Sequence, residues 1–118
     1  MRMLYRAKVE AGICLVTDAT AGAGLPKDRR FSRGGRDCVV RDGACWMADG
    51  SALAGSAARM IDLVRQMVEA VGVPVHEAIR MATETPARAM GWETKGALEA
   101  GRDADLVLLT PTLEVEST

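Results

Sequence analysis

The stretch Ile13-Cys14-Leu15-Val16-Thr17 constrains the fold of this chain more than any other. It is a short, continuous apolar run rich in β-branched residues, preceded by Glu10-Ala11-Gly12 and followed by the small residues 19–24. A run without polar alternation predicts a strand buried on both faces, as in a parallel sheet covered by helices. The covering core has few large rings to draw on. Two Trp, one Tyr and one Phe make up 3% of the 118 residues, so the packing must come from Ala, Val, Leu, Ile and Met. With 48% hydrophobic residues, 26% charged residues and a net charge of −1, the chain reads as a soluble, core-forming domain. Disordered and collagen-like classes are excluded.

The remaining elements follow from local signals. Residues 1–9 read as the end of a helix feeding the strand. Residues 36–48 carry two apolar runs around Asp42-Gly43, the strongest short hairpin signal because a type I′ turn needs positive φ at both centres. In that register Val40 faces Cys45 and Cys38 faces Met47, so the two cysteines lie diagonally and no disulfide is expected. Ser56 is placed as an N-cap for a helix carrying Met60, Val64, Met67, Val68 and Val71, with Gly72 ending it. Residues 75–84 restart a helix with Ala78, Ile79, Met81 and Ala82 on its apolar side. Thr85-Pro86 reads as N-cap and first-turn proline of a short helix closed by Gly91. Residues 105–109 read as a last strand, and the tail from Pro111 is polar and unassigned. The class is mixed α/β without internal repeat.

Charge and cysteine usage set the expected surroundings. A pI near 5.8 gives no global attraction to nucleic acid or to an anionic membrane. No apolar run approaches the roughly 18–20 residues of a membrane span, and the first six residues are too charged for a signal-peptide core. Three cysteines without CxxC spacing suggest free thiols in a reducing, cytoplasmic setting. All three fall in predicted strands, where thiols act as small hydrophobes.

Asp18 is the sharpest candidate for chemistry. A carboxylate just past the carboxyl end of a buried strand stands where α/β folds place function, and it can serve as a general base or metal ligand. The competing reading is an Asp whose side chain caps the following turn. Leu53-Ala54-Gly55-Ser56 is a small-residue loop opening a helix, with main-chain N–H groups available to a polar ligand or, more simply, an ordinary N-cap. Gly22-Ala23-Gly24 lacks the spacing of a nucleotide loop. Lys27, Arg29, Arg30, Arg33 and Arg36 fall within ten residues, but one Phe and the interleaved Asp28 and Asp37 favour a solvated loop over an RNA-binding arm. His76 is the only histidine and cannot make a zinc site alone.

Taken in order, these motifs resemble a known family. They are Leu15-Val16-Thr17-Asp18-Ala19 with Gly24-Leu25-Pro26, Gly34-Gly35, the Asp42-Gly43 hairpin and Leu53-Ala54-Gly55-Ser56. Arg80-Met81-Ala82-Thr83 with Pro86-Ala87-Arg88 follows, and Lys95-Gly96 through Gly101-Arg102-Asp103-Ala104-Asp105-Leu106-Val107 closes the series. Over residues 4–115 the chain is similar to the C-terminal portion of the N-acetylglucosamine-6-phosphate deacetylases, amidohydrolase superfamily. The Val-Thr-Asp-Ala and Leu-Ala-Gly-Ser pair carries the specific resemblance, while the Lys-Gly ending is shared across amidohydrolases.

The resemblance implies a metal-dependent hydrolase built on a (β/α)8 barrel with a small β-sandwich. Residues 1–92 would be the end of the barrel with an inserted hairpin at 36–48, and residues 93–118 the start of the sandwich segment. Asp18 matches the family's catalytic aspartate, and Leu53, Ala54 and Gly55 match the loop that contacts the sugar phosphate. The complete enzyme would take a divalent metal, zinc or iron, and N-acetylglucosamine 6-phosphate. The family's metal-binding Glu and His residues have no counterpart here, so no metal is expected on this chain alone. The segment from Gly50 to Ser56 is also one residue longer than the family's Gly-Thr-Leu-Ala-Gly-Ser. Neither nucleic acid nor membrane is an expected partner; self-association, or pairing with a missing N-terminal part, is. The alternatives are the tail of another amidohydrolase, dihydroorotase-like or deaminase-like, or a non-enzymatic remnant that oligomerises through open sheet edges.

Overall fold

At Asp42 and Gly43 the backbone has φ of 50° and 74°, the positive pair that a type I′ turn requires. The flanking strands β2 (Arg36–Arg41) and β3 (Ala44–Met47) pair antiparallel, with Val40 opposite Cys45 and Cys38 opposite Met47. This is the register that the sequence predicts. The computed structural model describes all 118 residues and extends the hairpin into a four-stranded antiparallel sheet, β1-β2-β3-β4. Strand β1 (Arg30–Arg33) turns into β2 through Gly34 and Gly35, and β4 (Leu53–Ser56) follows β3.

Two expectations are corrected here. The basic segment read as a solvated loop contains β1, an edge strand on which only Phe31 packs into the core, so it shows no hydrophobic alternation. Residues 53–56 are a strand and not a helix-opening loop, because they pair with β3. The Ser56 hydroxyl accepts the Ala58 N–H at 3.0 Å and closes a bend, whereas the next helix begins only at Met60.

Residues 17–60 make up one compact unit. Its core is Cys38, Val40, Cys45 and Ala54, with Leu25, Phe31, Met47 and Ala57 packed around them. A Cβ on Gly22 would stand 2.7 Å from the Phe31 ring and would also overlap the Cys45 sulfur. The bare glycine therefore lets the small-residue segment lie directly on the sheet.

Residues 1–16 and 61–118 make up the other unit. Helix α1 (Arg2–Lys8) leads through Val9 into a 3₁₀ turn, Glu10–Gly12. Helix α2 (Met60–Gln66) runs on into one wide π-turn, Met67–Val71. Gly72 closes it at φ 84°, its N–H donating to the Val68 carbonyl at 3.1 Å, the left-handed stop expected of this glycine. After Pro74, helix α3 (Val75–Ala82) buries Ala78 and Met81 completely.

Helix α4 (Glu84–Ala89) starts two residues earlier than the Thr85-Pro86 signal suggested, with Thr83 in the N-cap position. The Thr85 hydroxyl is buried and donates to the Glu10 carbonyl at 3.2 Å, a tertiary bond that outcompetes a capping role. The last predicted strand shrinks to β5 (Leu108–Leu109), and the tail supplies its partner, β6 (Val115–Ser117).

Residues 13–17 depart most from expectation. Ile13 is extended, but none of the five residues belongs to a strand. Burial alternates: Ile13 and Leu15 are buried, while Cys14 and Val16 are exposed, Val16 at 73%. A strand exists only through a lateral partner, and the Leu15 N–H is instead bonded to the Met81 carbonyl at 2.8 Å. No helix is long and apolar enough to cross a membrane.

Candidate functional site

Asp18 lies where the chain reaches the edge of β4. Ala19 forms a parallel bridge with Ser56: the Thr20 N–H donates to the Ser56 carbonyl at 3.0 Å, and the Ser56 N–H to the Asp18 carbonyl at 3.4 Å. Asp18 itself has φ 49°, a left-handed conformation that costs a non-glycine residue about 1–3 kcal/mol and that Asp tolerates better than most. The turn is closed by Thr17, whose hydroxyl accepts the Ala19 N–H at 3.3 Å. The capping role considered for Asp18 thus belongs to its neighbour. The Asp18 side chain is exposed, and no hydrogen bond or ion pair within the chain engages its carboxylate.

Strand β4 is irregular beside it. Gly55 faces Cys45 but Leu53 faces Trp46, so β4 advances two residues while β3 advances one. Ala54 is the extra residue of a β-bulge, a device that redirects backbone and side chains and often stands next to functional sites. Its methyl group is buried in the core, whereas Leu53 is exposed. Gly55 has φ 127°, open in practice to glycine alone, and a Cβ there would collide with the Thr20 methyl. Asp49 Oδ1 accepts the Ser51 N–H at 2.9 Å and the Ser51 hydroxyl at 2.7 Å, and these bonds hold the Asp49 carboxyl below its ordinary pKa. The structure therefore bridges the segment that carries Asp18 to the end of the strand that carries Leu53, Ala54 and Gly55.

The other candidates fall elsewhere. The divalent metal that the resemblance implies finds no set of donors: no three His, Cys, Asp or Glu side chains are grouped to hold one. His76 is exposed in α3 with its Nε2 3.9 Å from Glu77 Oε1, two donors at most. These residues do not make a metal centre. Lys27 pairs with Asp42 at 3.3 Å, and Arg33 stands opposite Arg36 in the β1–β2 ladder. Cys38 and Cys45 are buried in strands as expected, but Cys14 is exposed and outside any strand; all three thiols are free.

Two residues to which the sequence reading gave no role of their own carry structure. Thr20 donates its hydroxyl to the Cys45 sulfur at 3.2 Å, and that thiol reaches the Ser56 carbonyl at 3.7 Å. Lys95 bridges Asp103 at 2.9 Å and Asp105 at 2.5 Å. The hydrogen bonds that Lys95 donates to Asp105 and then to Asp103 raise its pKa, and those that Asp103 accepts from Lys95 and then Thr94 lower the Asp103 pKa. The signal for Lys95 was in view: a lysine before a glycine, then two aspartates eight and ten residues on.

Comparison with known proteins gives a consistent picture. The chain is 36% identical over 108 residues to the N-acetylglucosamine-6-phosphate deacetylase of Haemophilus influenzae, covering 90% of this chain and 28% of that protein. It is 40% identical over 105 residues to the N-acetylgalactosamine-6-phosphate deacetylase of Escherichia coli O157:H7, covering 88% of this chain and 27% of that one. Among solved structures, the N-acetylglucosamine-6-phosphate deacetylase of Pasteurella multocida superposes with a TM-score of 0.85 at 38% identity, over 97% of this chain and 30% of that one. An aspartate-to-alanine mutant of the Mycobacterium smegmatis enzyme, in complex with N-acetyl-D-glucosamine-6-phosphate, gives a TM-score of 0.83 at 34% identity. The chain spans about 30% of the length of these relatives. The Amidohydrolase family profile matches residues 7–118, nearly the whole sequence, and the chain belongs to the amidohydrolase family.

Proposed function

We infer that the chain is the C-terminal segment of an N-acetylglucosamine-6-phosphate deacetylase, contributing a proton-transfer carboxylate and part of the substrate site. The observation that carries this reading is the free Asp18 side chain on a segment bridged to the end of β4, the bulged strand that holds Leu53, Ala54 and Gly55. Asp18 takes a proton from the water that attacks the acetamide carbonyl, then returns one to the departing amine nitrogen, so that acetate and a free amino sugar leave. One carboxylate can serve both steps because it is exposed and unpaired, ready to alternate between base and acid. The main chain of residues 53–55 presents polar groups to the sugar phosphate without committing a charged side chain. Chemistry that needs a metal falls to residues outside this chain.

In the same reading, residues 1–92 form the end of a (β/α)8 barrel, with residues 13–17 as its last strand, and residues 93–118 begin the small sandwich. The extended Ile13 and the alternation of buried Ile13 and Leu15 with exposed Cys14 and Val16 support this, since a strand would need only lateral neighbours in addition. Pairing with the remainder of the relatives' fold would supply them. A cytoplasmic setting suits the free thiols and a phosphorylated substrate.

The test is to replace the matching region of the Haemophilus influenzae relative with residues 1–118 and to assay acetate release from N-acetylglucosamine 6-phosphate. The recombined enzyme is expected to turn over. Asp18→Asn should lower kcat by about 10²–10⁴-fold, the range typical of general acid–base catalysis, with KM within about threefold. Near-parental turnover by Asp18→Asn would remove this residue from the mechanism. The similarity to an N-acetylgalactosamine-6-phosphate deacetylase makes the galacto epimer the second substrate to assay. A higher kcat/KM for that epimer would change the sugar and leave the residue roles intact.

A further inference from the structure

We propose that Thr20 is a positioning residue, setting the spacing between the Asp18 carboxylate and the main chain of residues 53–55; this rests on the deacetylase reading of those residues. Three contacts meet on this one residue. Its N–H donates to the Ser56 carbonyl at 3.0 Å, and its hydroxyl donates to the Cys45 sulfur at 3.2 Å. Its methyl occupies the space that a side chain on Gly55 would need. The Cys45 thiol is fully buried and reaches the same Ser56 carbonyl at 3.7 Å, so hydroxyl, thiol and carbonyl close a ring inside the sheet unit. Asp18 stands two residues before this ring in a left-handed conformation that neighbouring contacts must hold.

The two halves of the site are anchored differently, and this gives Thr20 its leverage. Residues 53–55 are fixed to β3 by the ladder, Leu53 opposite Trp46 and Gly55 opposite Cys45. Asp18 is tied to the sheet through the short bridge from Ala19 to β4 and the Thr20 hydroxyl on Cys45 of β3. Loosening Thr20 should therefore displace the carboxylate while leaving the substrate-facing main chain in place. The effect should fall on kcat and spare KM.

The experiment has two arms. On the 118-residue chain, hydrogen exchange is followed at the Ser56 amide, which donates to the Asp18 carbonyl, and at Val40 and Cys45 within the sheet. Thr20→Ala should speed exchange at Ser56 at least tenfold and leave Val40 and Cys45 within twofold. In the recombined enzyme, Thr20→Ala should lower kcat by roughly 10–100-fold, as expected for a displaced reacting group, with KM within about twofold. Thr20→Ser keeps the hydroxyl that donates to the Cys45 sulfur and should restore kcat to within about threefold. Parental kcat in Thr20→Ala, where Asp18→Asn is inactive, overturns the proposal while the deacetylase reading stands. If Asp18→Asn is itself active, the catalytic role of Asp18 fails and Thr20 has no carboxylate to position, while the deacetylase reading of the chain stands. Unchanged Ser56 exchange in Thr20→Ala overturns the proposal whatever the activities are.

Discussion

A Cβ on Gly96 would stand 2.8 Å from the Glu84 Cα and 2.9 Å from the Thr83 carbonyl oxygen, where no side chain can shift to make room. Gly101 shares its φ of 89° but has nothing within 4 Å. The pair separates two reasons for a glycine that a sequence motif merges. Alanine at either site pays for the left-handed backbone, about 1–2 kcal/mol; only alanine at 96 also meets packed backbone. Gly96→Ala should therefore cost at least about 1 kcal/mol more than Gly101→Ala in urea unfolding, within the range for overpacking. Equal losses would show that the contact at Gly96 relaxes freely. The same distinction holds at the candidate site, where Gly55 is required both by φ 127° and by the Thr20 methyl. The pattern Leu-Ala-Gly-Ser announces a glycine; the reason for it became visible only with Thr20 beside it.

Between residues 94 and 105 the chain loops back, and Lys95 clamps the loop through Asp103 and Asp105. The Asp103 pKa is lowered in the folded chain, so its contribution is present above the ordinary carboxylate value of about 3.8 and fades as pH falls through the lowered one. The Lys95 pKa is raised, so its contribution is full below the ordinary 10.5 and is lost as pH rises through the raised one. A comparison of the parent with Lys95→Met should show a difference in urea midpoint that stays level from about pH 5 to 8 and narrows below about pH 4. A difference that grows toward acid would contradict this assignment. The clamp is exposed, so the gap should also shrink in high salt.

Elements of this kind show what the sequence could and could not disclose. The Asp42-Gly43 turn, the Gly72 stop and the buried face of α3 were legible because each depends on residues within a few positions. Residues 53–56 were misread because a strand and a helix-opening loop can share small residues, and only β3 decides between them. Residues 13–17 carry every local mark of a strand and remain unpaired, since pairing is a property of two segments. Asp18 stood out as a candidate from its place after an apolar run. The β-bulge at Ala54 was not legible, because a bulge is a mismatch of register with a partner.

At the scale of the molecule, large apolar side chains remain exposed, among them Val16 at 73%, Trp92 at 58% and Leu98 at 77%. Such surface, together with the free flank of residues 13–17, suits a chain that spans about 30% of the relatives it matches. It does not hinder either unit from holding a core of its own. The sheet unit packs small and sulfur-bearing residues around a single Phe, and the helical unit packs Val, Met and Ala, as the low aromatic count required.

That packing sorts three chemically identical thiols. Cys38 and Cys45 are 1% and 0% exposed, and both belong to the sheet unit, whereas Cys14 lies open in the other. A chromogenic disulfide reagent should titrate one equivalent rapidly in the native chain and three in denaturant, and rapid titration of all three natively would mean that the sheet breathes open. The delayed two equivalents then serve as a clock for opening of residues 17–60 alone. An alkylating dye would meanwhile mark a single address, four residues upstream of the candidate carboxylate Asp18.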